Sequence, residues 1–291
     1  MKKCIYIFFI CIILSGCTIA ALEVYSGVFD RVETGRLIDF SGYPREEFWF
    51  YSGRNKLEGF IYGKENDKGL VVITHGIHTN ADDNHLMIKY LADNGWRVLA
   101  FNNTGVSGSE GYSMLGLSQG LLDLKAALNY IENTGELNGL PIMLLGFSWG
   151  GYTVCAVLNF NYPIKAVVSL SGFNSIQDVI EKQAIDAVGN IYYLLSPQTL
   201  ALERQLFGET AKLTAVDGIN KTRIPVLIAI SSDDDVIPPC TISIYAHKRK
   251  IFNPRAEYLL LEGEDAGGHR LRNYTKEGLY IKINEFLEKS R

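Results

Sequence analysis

Pro141-Ile142-Met143-Leu144-Leu145-Gly146-Phe147-Ser148-Trp149-Gly150 decides how this chain is read. The stretch is an apolar run, then a serine two residues from a glycine on either side, then a second periodic run from Tyr152 to Leu158. A strand turning sharply into a helix with a serine at the apex is the setting of a nucleophile elbow. The backbone at such an apex is strained, and only small residues at positions 146 and 150 let strand and helix approach that closely. The turn lifts the Ser148 hydroxyl above the sheet. It also aims the Trp149 N–H, at the helix N-terminus, toward a developing oxyanion.

Outward from this point the pattern alternates. Upstream, Leu70–Thr74 and Trp96–Phe101 are unbroken apolar strands, while Ala81–Asn94 and Leu117–Ile131 carry helical spacing. Glu47–Tyr51 and Leu57–Tyr62 flank Gly53-Arg54-Asn55 as a hairpin. Downstream, Ala166–Leu170, Val226–Ile230 and Tyr258–Leu261 are strands, and Pro239–Lys250 and Tyr274–Leu287 are helices. Fully apolar strands alternating with helices predict a mostly parallel sheet covered on both faces, a doubly wound α/β fold. Between Ser171 and Arg223 no strand is legible. Helices over Ile176–Val188 and Leu194–Leu206 predict a helical lid inserted at about 172–223. Its aromatic and aliphatic residues (Phe173, Ile176, Ile180 and Ile191 to Leu195) either line an acyl pocket or pack the lid on the sheet.

The 291 residues, 47% of them hydrophobic, suit one large domain with a sizeable core. A net charge of -4 and the absence of a basic run of five or more residues argue against a nucleic-acid partner. Met1-Lys2-Lys3, an apolar run and Leu14-Ser15-Gly16-Cys17 resemble a bacterial lipoprotein signal. Residues 1–16 are then cut away and Cys17 is lipidated. The alternative is an uncleaved signal anchor, since Cys4–Leu22 lacks charges over 19 residues, close to the ~20 that span a bilayer. Either way Lys2 and Lys3 stay inside and the domain lies outside the cytoplasm. Residues 17–45 are expected to be a tether and entry segment, and 46–290 the folded domain. Only Cys155 and Cys240 remain in that domain, and both are expected unpaired.

Acyl transfer by a serine requires a general base, an orienting carboxylate and oxyanion donors, each from a loop at the carboxyl end of a strand. His75-Gly76-Ile77 follows one strand, so that the Ile77 N–H is a candidate second oxyanion donor; His75 itself is expected to be structural. Ser231-Ser232-Asp233-Asp234-Asp235 follows another. Its three aspartates leave the register open, with Asp234, four residues before Pro238, the expected carboxylate and Asp233 and Asp235 solvated or capping the next helix. Gly267-Gly268-His269 follows the last strand. Of the five histidines, His269 alone lies after the carboxylate and on a strand-end loop, whereas His247 sits in a basic, exposed helix. His75, His78 and His85 fit no compact zinc spacing, and neither metal nor cofactor is expected.

Ser148, Asp234 and His269 in this order resemble the α/β-hydrolase superfamily over residues 46–290. Phe101 to Gly111 is similar to that superfamily's loop after the fourth strand. Ser231 departs from its usual glycine three residues before the acid. The resemblance implies an esterase, lipase or serine peptidase: Ser148 as nucleophile, His269 as base, Asp234 as acid, Ile77 and Trp149 as oxyanion donors. The expected substrate is a small acyl ester; a short peptide is the alternative, its free amine held by a carboxylate such as Glu181, Asp186 or Glu203. An acyltransferase and a non-catalytic binding protein are more distant alternatives.

Overall fold

The computed structural model describes residue 23 and residues 26–33, 43–135, 137, 139–189, 192–263, 266–271 and 276–291. The expected signal (1–16) and Cys17 lie outside the described residues. Among the described residues no helix is long and apolar enough to cross a membrane.

An eight-stranded sheet organises the chain. Its strands are β1 (Arg45–Ser52), β2 (Asn55–Tyr62), β3 (Leu70–Thr74), β4 (Arg97–Phe101), β5 (Ile142–Phe147), β6 (Ile164–Leu170), β7 (Val226–Ser231) and β8 (Ala256–Leu261), in the order β1-β2-β4-β3-β5-β6-β7-β8. β1 and β2 form the antiparallel hairpin expected around Gly53, and β2 runs antiparallel to β4. From β4 to β8 every pairing is parallel. The apolar runs alternate between two cores, because successive side chains of a strand point to opposite faces. On β3, Leu70 and Val72 enter one core and Val71 and Ile73 the other; on β7, Val226, Ile228 and Ile230 separate likewise from Leu227 and Ala229.

Helices cover both faces. One is packed by α1 (His85–Asp93) and α7 (Lys276–Lys289), through Ile88, Leu91, Ile283 and Leu287. The other is packed by α2 (Leu117–Asn133) and α3 (Trp149–Ala156), through Leu121, Leu124, Leu128, Tyr152 and Val154. Between β6 and β7 the chain is helical: α4 (Ile176–Val188), α5 (Tyr192–Phe207) and α6 (Ala215–Asn220). α4 has the expected bounds. α6 was not anticipated, and it belongs to the packed layer. Ala215 and Ile219 are buried in the core, and a Cβ on Gly218 would lie 2.2 Å from the Cys155 carbonyl oxygen.

One expectation needs correction. No α-helix follows Pro239; only a 3₁₀ segment, Tyr245–Lys250, forms, and His247 is half-buried on it with Nδ1 2.9 Å from the Ser243 carbonyl oxygen. Within the expected tether and entry segment, residues 26–33 pack onto the domain: Phe29 is buried in the core, and the Val32 N–H donates to the Gly105 carbonyl oxygen at 2.9 Å. Cys155 is buried and Cys240 exposed, and both are free. Burial pushes the Cys155 thiol up to about 12, which leaves it inert.

Candidate active site

Ser148 sits between β5 and α3 with φ 55° and ψ −111°. For a residue with a side chain this is a strained conformation, costing on the order of 1–3 kcal/mol. Surrounding contacts hold it there. The Ser148 N–H donates to the Leu170 carbonyl oxygen at 2.8 Å, and its own carbonyl accepts from the Tyr152 N–H at 3.0 Å. A Cβ on Gly146 would stand 2.1 Å from the Gly150 carbonyl oxygen, and one on Gly150 2.3 Å from that of Thr74. The two glycines are therefore obligatory for the turn, as their spacing implied. Trp149 is buried behind the serine, its indole N–H donating to the Leu117 carbonyl oxygen at 2.7 Å.

His269 Nε2 lies 2.8 Å from Ser148 Oγ. Its Nδ1 lies 2.9 Å from Asp234 Oδ2 and 3.1 Å from Oδ1. Asp234, its side chain fully buried, also accepts the backbone N–H groups of Val236 (3.1 Å) and Ile237 (2.8 Å). The structure thus brings Ser148, His269 and Asp234 into one hydrogen-bonded line from three strand-end loops.

The neighbouring aspartates behave differently from each other. Asp233 is exposed, as expected of a solvated carboxylate, and its Oδ1 also accepts the Ser231 hydroxyl and, at 2.8 Å, the Gly268 N–H. Those two donors hold the Asp233 carboxyl below its ordinary range. Ser231 Oγ in turn accepts the Gly267 N–H at 3.0 Å, and the Ser171 hydroxyl donates to the His269 carbonyl at 3.2 Å. The departure from glycine at 231 therefore supplies a polar stitch between the acid loop and the histidine loop. Asp235 is exposed, its carbonyl within 3.4 Å of Lys182 Nζ.

The remaining histidines take structural places. His75 is fully buried: Nδ1 lies 2.7 Å from the Gly76 carbonyl oxygen, and Nε2 accepts the Asn103 N–H at 3.1 Å. A carbonyl at one nitrogen and an N–H at the other admit only the neutral Nδ1–H tautomer. Burial accordingly lowers its pKa from 6.5 to about 4, against weaker upward pulls from the Gly76 carbonyl and Asp83. His78 Nε2 reaches the Val28 carbonyl oxygen at 2.8 Å, and His85 Nδ1 that of Asp82 at 3.1 Å. Among the described residues no group of three or more His, Cys, Asp or Glu could hold a metal ion.

Ile77 and Trp149 both line a cavity of about 230 Å³ that opens on Ser148 and His269. Among the described residues neither backbone N–H is paired with a backbone carbonyl. The cavity wall is overwhelmingly apolar: Leu117, Phe147 and Phe173, Val179, Ile180 and Ala184 of α4, Ile237, and Val28 and Phe29 from the N-terminal segment. Phe147 also packs its ring 5.2 Å from the His269 ring. Of the expected lid residues, Phe173 and Ile180 line this space, while Ile176 is buried in the core. Ile191 lies outside the described residues, as do the side chains of 192–195. None of the three carboxylates weighed as amine anchors is among the described lining residues: Glu203 is buried and accepts the Ser118 N–H at 2.7 Å, and Asp186 pairs with Lys182.

Sequence reasoning missed one buried support. Asp123 of α2 accepts the Thr104 N–H (2.7 Å), the Thr104 hydroxyl (3.0 Å) and the Gln119 amide (2.7 Å), fixing the loop after β4. Burial raises its pKa against those bonds. The signal was present, since Gln119 and Asp123 stand four apart on an otherwise apolar helix face.

Strand order, elbow and the Ser–His–Asp line define an α/β hydrolase. The chain belongs to the serine aminopeptidase S33 family, whose model matches residues 65–215. It is 28% identical to the uncharacterized protein YfhR of Salmonella typhi, over 74% of this chain and 71% of that one. Among solved structures it resembles the esterase Pf2001 of Pyrococcus furiosus, with a TM-score of 0.71 and 18% identity, covering 90% of this chain and 99% of that one. It also resembles an acylaminoacyl peptidase of Pyrococcus horikoshii, with a TM-score of 0.61 and 18% identity, covering 87% of this chain and 43% of that one.

Proposed function

We propose that this protein is a serine hydrolase that cleaves carboxylic esters of apolar acids through an acyl-enzyme on Ser148. The observation that carries this reading is the hydrogen-bonded line from Ser148 through His269 to Asp234 at the mouth of an apolar cavity. His269 Nε2 takes the hydroxyl proton as Ser148 Oγ attacks the acyl carbonyl, then delivers it to the leaving alkoxide. Asp234 accepts the Nδ1–H bond throughout, fixing the tautomer and stabilising the transient imidazolium. The N–H groups of Ile77 and Trp149 receive the negative charge of the tetrahedral oxygen. Water activated by the same histidine then releases the acid and restores Ser148, so no cofactor is required.

The family description and the peptidase neighbour favour cleavage of peptides as the second reading. An aminopeptidase holds the free amine of its substrate, and no carboxylate stands among the described lining residues of the cavity. That composition favours an apolar acyl group over a charged N-terminus. The chain between β6 and β7 serves in this proposal as a lid through α4, whereas α6 belongs to the packed core. The proposal places the enzyme in the bacterial cell envelope, anchored by lipid on Cys17 after removal of residues 1–16; a signal anchor is the alternative. At ~3.3–3.6 Å per residue, the chain from Cys17 to Val28 spans at most about 40 Å, which keeps the cavity near a membrane surface.

A fluorophosphonate probe tests the chemistry. It is expected to label the wild-type protein and not Ser148→Ala. Turnover of p-nitrophenyl esters beside aminoacyl-anilides then separates the two readings, and faster anilide cleavage would overturn the ester assignment.

A further inference from the structure

The N-terminal segment 26–33 precedes the expected start of the domain, yet it is fastened into the active-site region at several points. The Met114 N–H donates to the Phe29 carbonyl oxygen at 2.8 Å, and the Ser107 N–H to that of Val32 at 2.8 Å. Asp30 and Val32 form bridges to Ser113 and Val106. The Arg31 guanidinium donates to three carbonyls of the loop after β4, those of Ser107, Ser109 (2.8 Å) and Gly111 (2.9 Å). At its other end the Val28 carbonyl meets His78, the residue after the oxyanion candidate Ile77, at 2.8 Å. A loose tether needs none of these bonds. Between the two fastenings, Val28 and Phe29 face the cavity that opens on Ser148.

We infer that this segment is a strap that completes the acyl pocket, and that Val28 and Phe29 set the length of acyl chain the enzyme accepts. The inference rests on the serine-hydrolase reading for the chemistry at Ser148. The wall itself is a matter of space. Phe29 is buried in the core and anchors the strap, whereas Val28 is half-buried and lines the cavity with Val179, Ile180 and Ala184 of α4. Each methylene that finds room in such a cavity raises affinity by about fourfold, which is ~0.8 kcal/mol converted at 1.4 kcal/mol per tenfold. A larger side chain at position 28 takes that room from the far end of a long chain and leaves a short one untouched.

The test reads binding in the full chain. Affinities for straight-chain fatty acids of four, eight and twelve carbons, the products of the proposed reaction, are measured by calorimetry on wild type, Val28→Phe and Val28→Ala. Val28→Phe is expected to weaken the eight- and twelve-carbon acids by roughly 15-fold, the worth of about two methylenes, and to change the four-carbon acid by less than twofold. Val28→Ala creates no clash and is expected to tighten the twelve-carbon acid. Equal changes at all three lengths, no change at any, or no binding of these acids to the wild-type protein would overturn the strap as a pocket wall. Fluorophosphonate labelling of the same samples separates these outcomes from failure of the serine-hydrolase reading, because labelling needs Ser148 and not a long acyl pocket.

Discussion

His75 makes the fold acid-sensitive in a way that can be measured. In the folded protein its pKa is lowered from 6.5 to about 4, first by burial, because a charged imidazole cannot be solvated there and its Nε2 already faces the Asn103 N–H. In the unfolded chain the same group titrates near 6.5. Between those values the unfolded state binds the proton and the folded state does not, so stability falls as pH falls. The contribution is fully present above about pH 6.5 and is lost through the window down to about 4. Between pH 7.5 and 4.5 the loss is about 2–3 kcal/mol, at 1.36 kcal/mol per pH unit. Carboxylates titrate in the same range, so the comparison is with His75→Gln, which cannot take up a proton and whose amide oxygen can still accept the Asn103 N–H. Urea denaturation of both proteins at pH 7.5, 6.0, 5.0 and 4.5 gives the two curves. The variant is expected to be less stable at pH 7.5, by about 1–3 kcal/mol for the disturbed buried bonds. That deficit should shrink by about 2–3 kcal/mol at pH 4.5. Parallel curves across this window would show that the unfolded and folded states protonate His75 alike, and would refute the argument from burial.

Other expectations follow from the site. Ser148→Ala should lower esterase kcat by on the order of 10⁴ to 10⁶ with folding intact, measured by p-nitrophenyl ester turnover and thermal melting. Asp234→Asn should reduce turnover severely, Asp235→Asn hardly at all, and Asp233→Asn to an intermediate extent, because only Asp233 of the two ties down the Gly268 N–H beside His269; equal small losses at all three would place the orienting carboxylate elsewhere. Gly150→Ala should cost about 3 kcal/mol or more through the 2.3 Å approach to the Thr74 carbonyl, whereas Gly135→Ala, with nothing within 4 Å, should be neutral in urea melts. Cys17→Ser should abolish incorporation of an alkyne fatty acid, and label persisting in that variant would exclude Cys17 as the lipid site.

The parts of this molecule legible in its sequence are those governed by local periodicity and by single obligatory residues. β3 and α4 have the bounds their spacing implied, since an apolar run or a helical stripe bounded by turn residues leaves little choice. The elbow was legible because Gly146 and Gly150 meet backbone atoms that no side chain could pass. What stayed illegible depends on partners distant in the chain. α6 is six residues long, too short for a periodic signal, and is held by its fit against α3. The order of work among three adjacent aspartates is set by which of them the 267–269 loop approaches, some 35 residues away in the chain. Residues 26–33 carry no apolar period, and Arg31 is tied to the domain by the carbonyls of a loop almost 80 positions downstream.

Two histidines at carboxyl ends of the same sheet show how environment, not residue type, assigns the chemistry. Both have both ring nitrogens engaged. At His75 the partners are backbone groups, a carbonyl at Nδ1 and an N–H at Nε2, and neither can exchange a proton. Full burial closes the ring to any other partner, so it is fixed in one tautomer and serves as a joint between β3 and the loop after β4. At His269 the partners are side chains. Asp234 at Nδ1 stabilises positive charge on the ring, and Ser148 at Nε2 carries a proton it can give up. The ring is also partly open, 16% exposed at the cavity mouth, where substrate and water arrive. A base must accept a proton at one nitrogen while the charge is balanced at the other. Of these two histidines only His269 meets that condition, and this is why the proposed mechanism gives the role of base to the 267–269 loop, although His75 also lies close to the elbow.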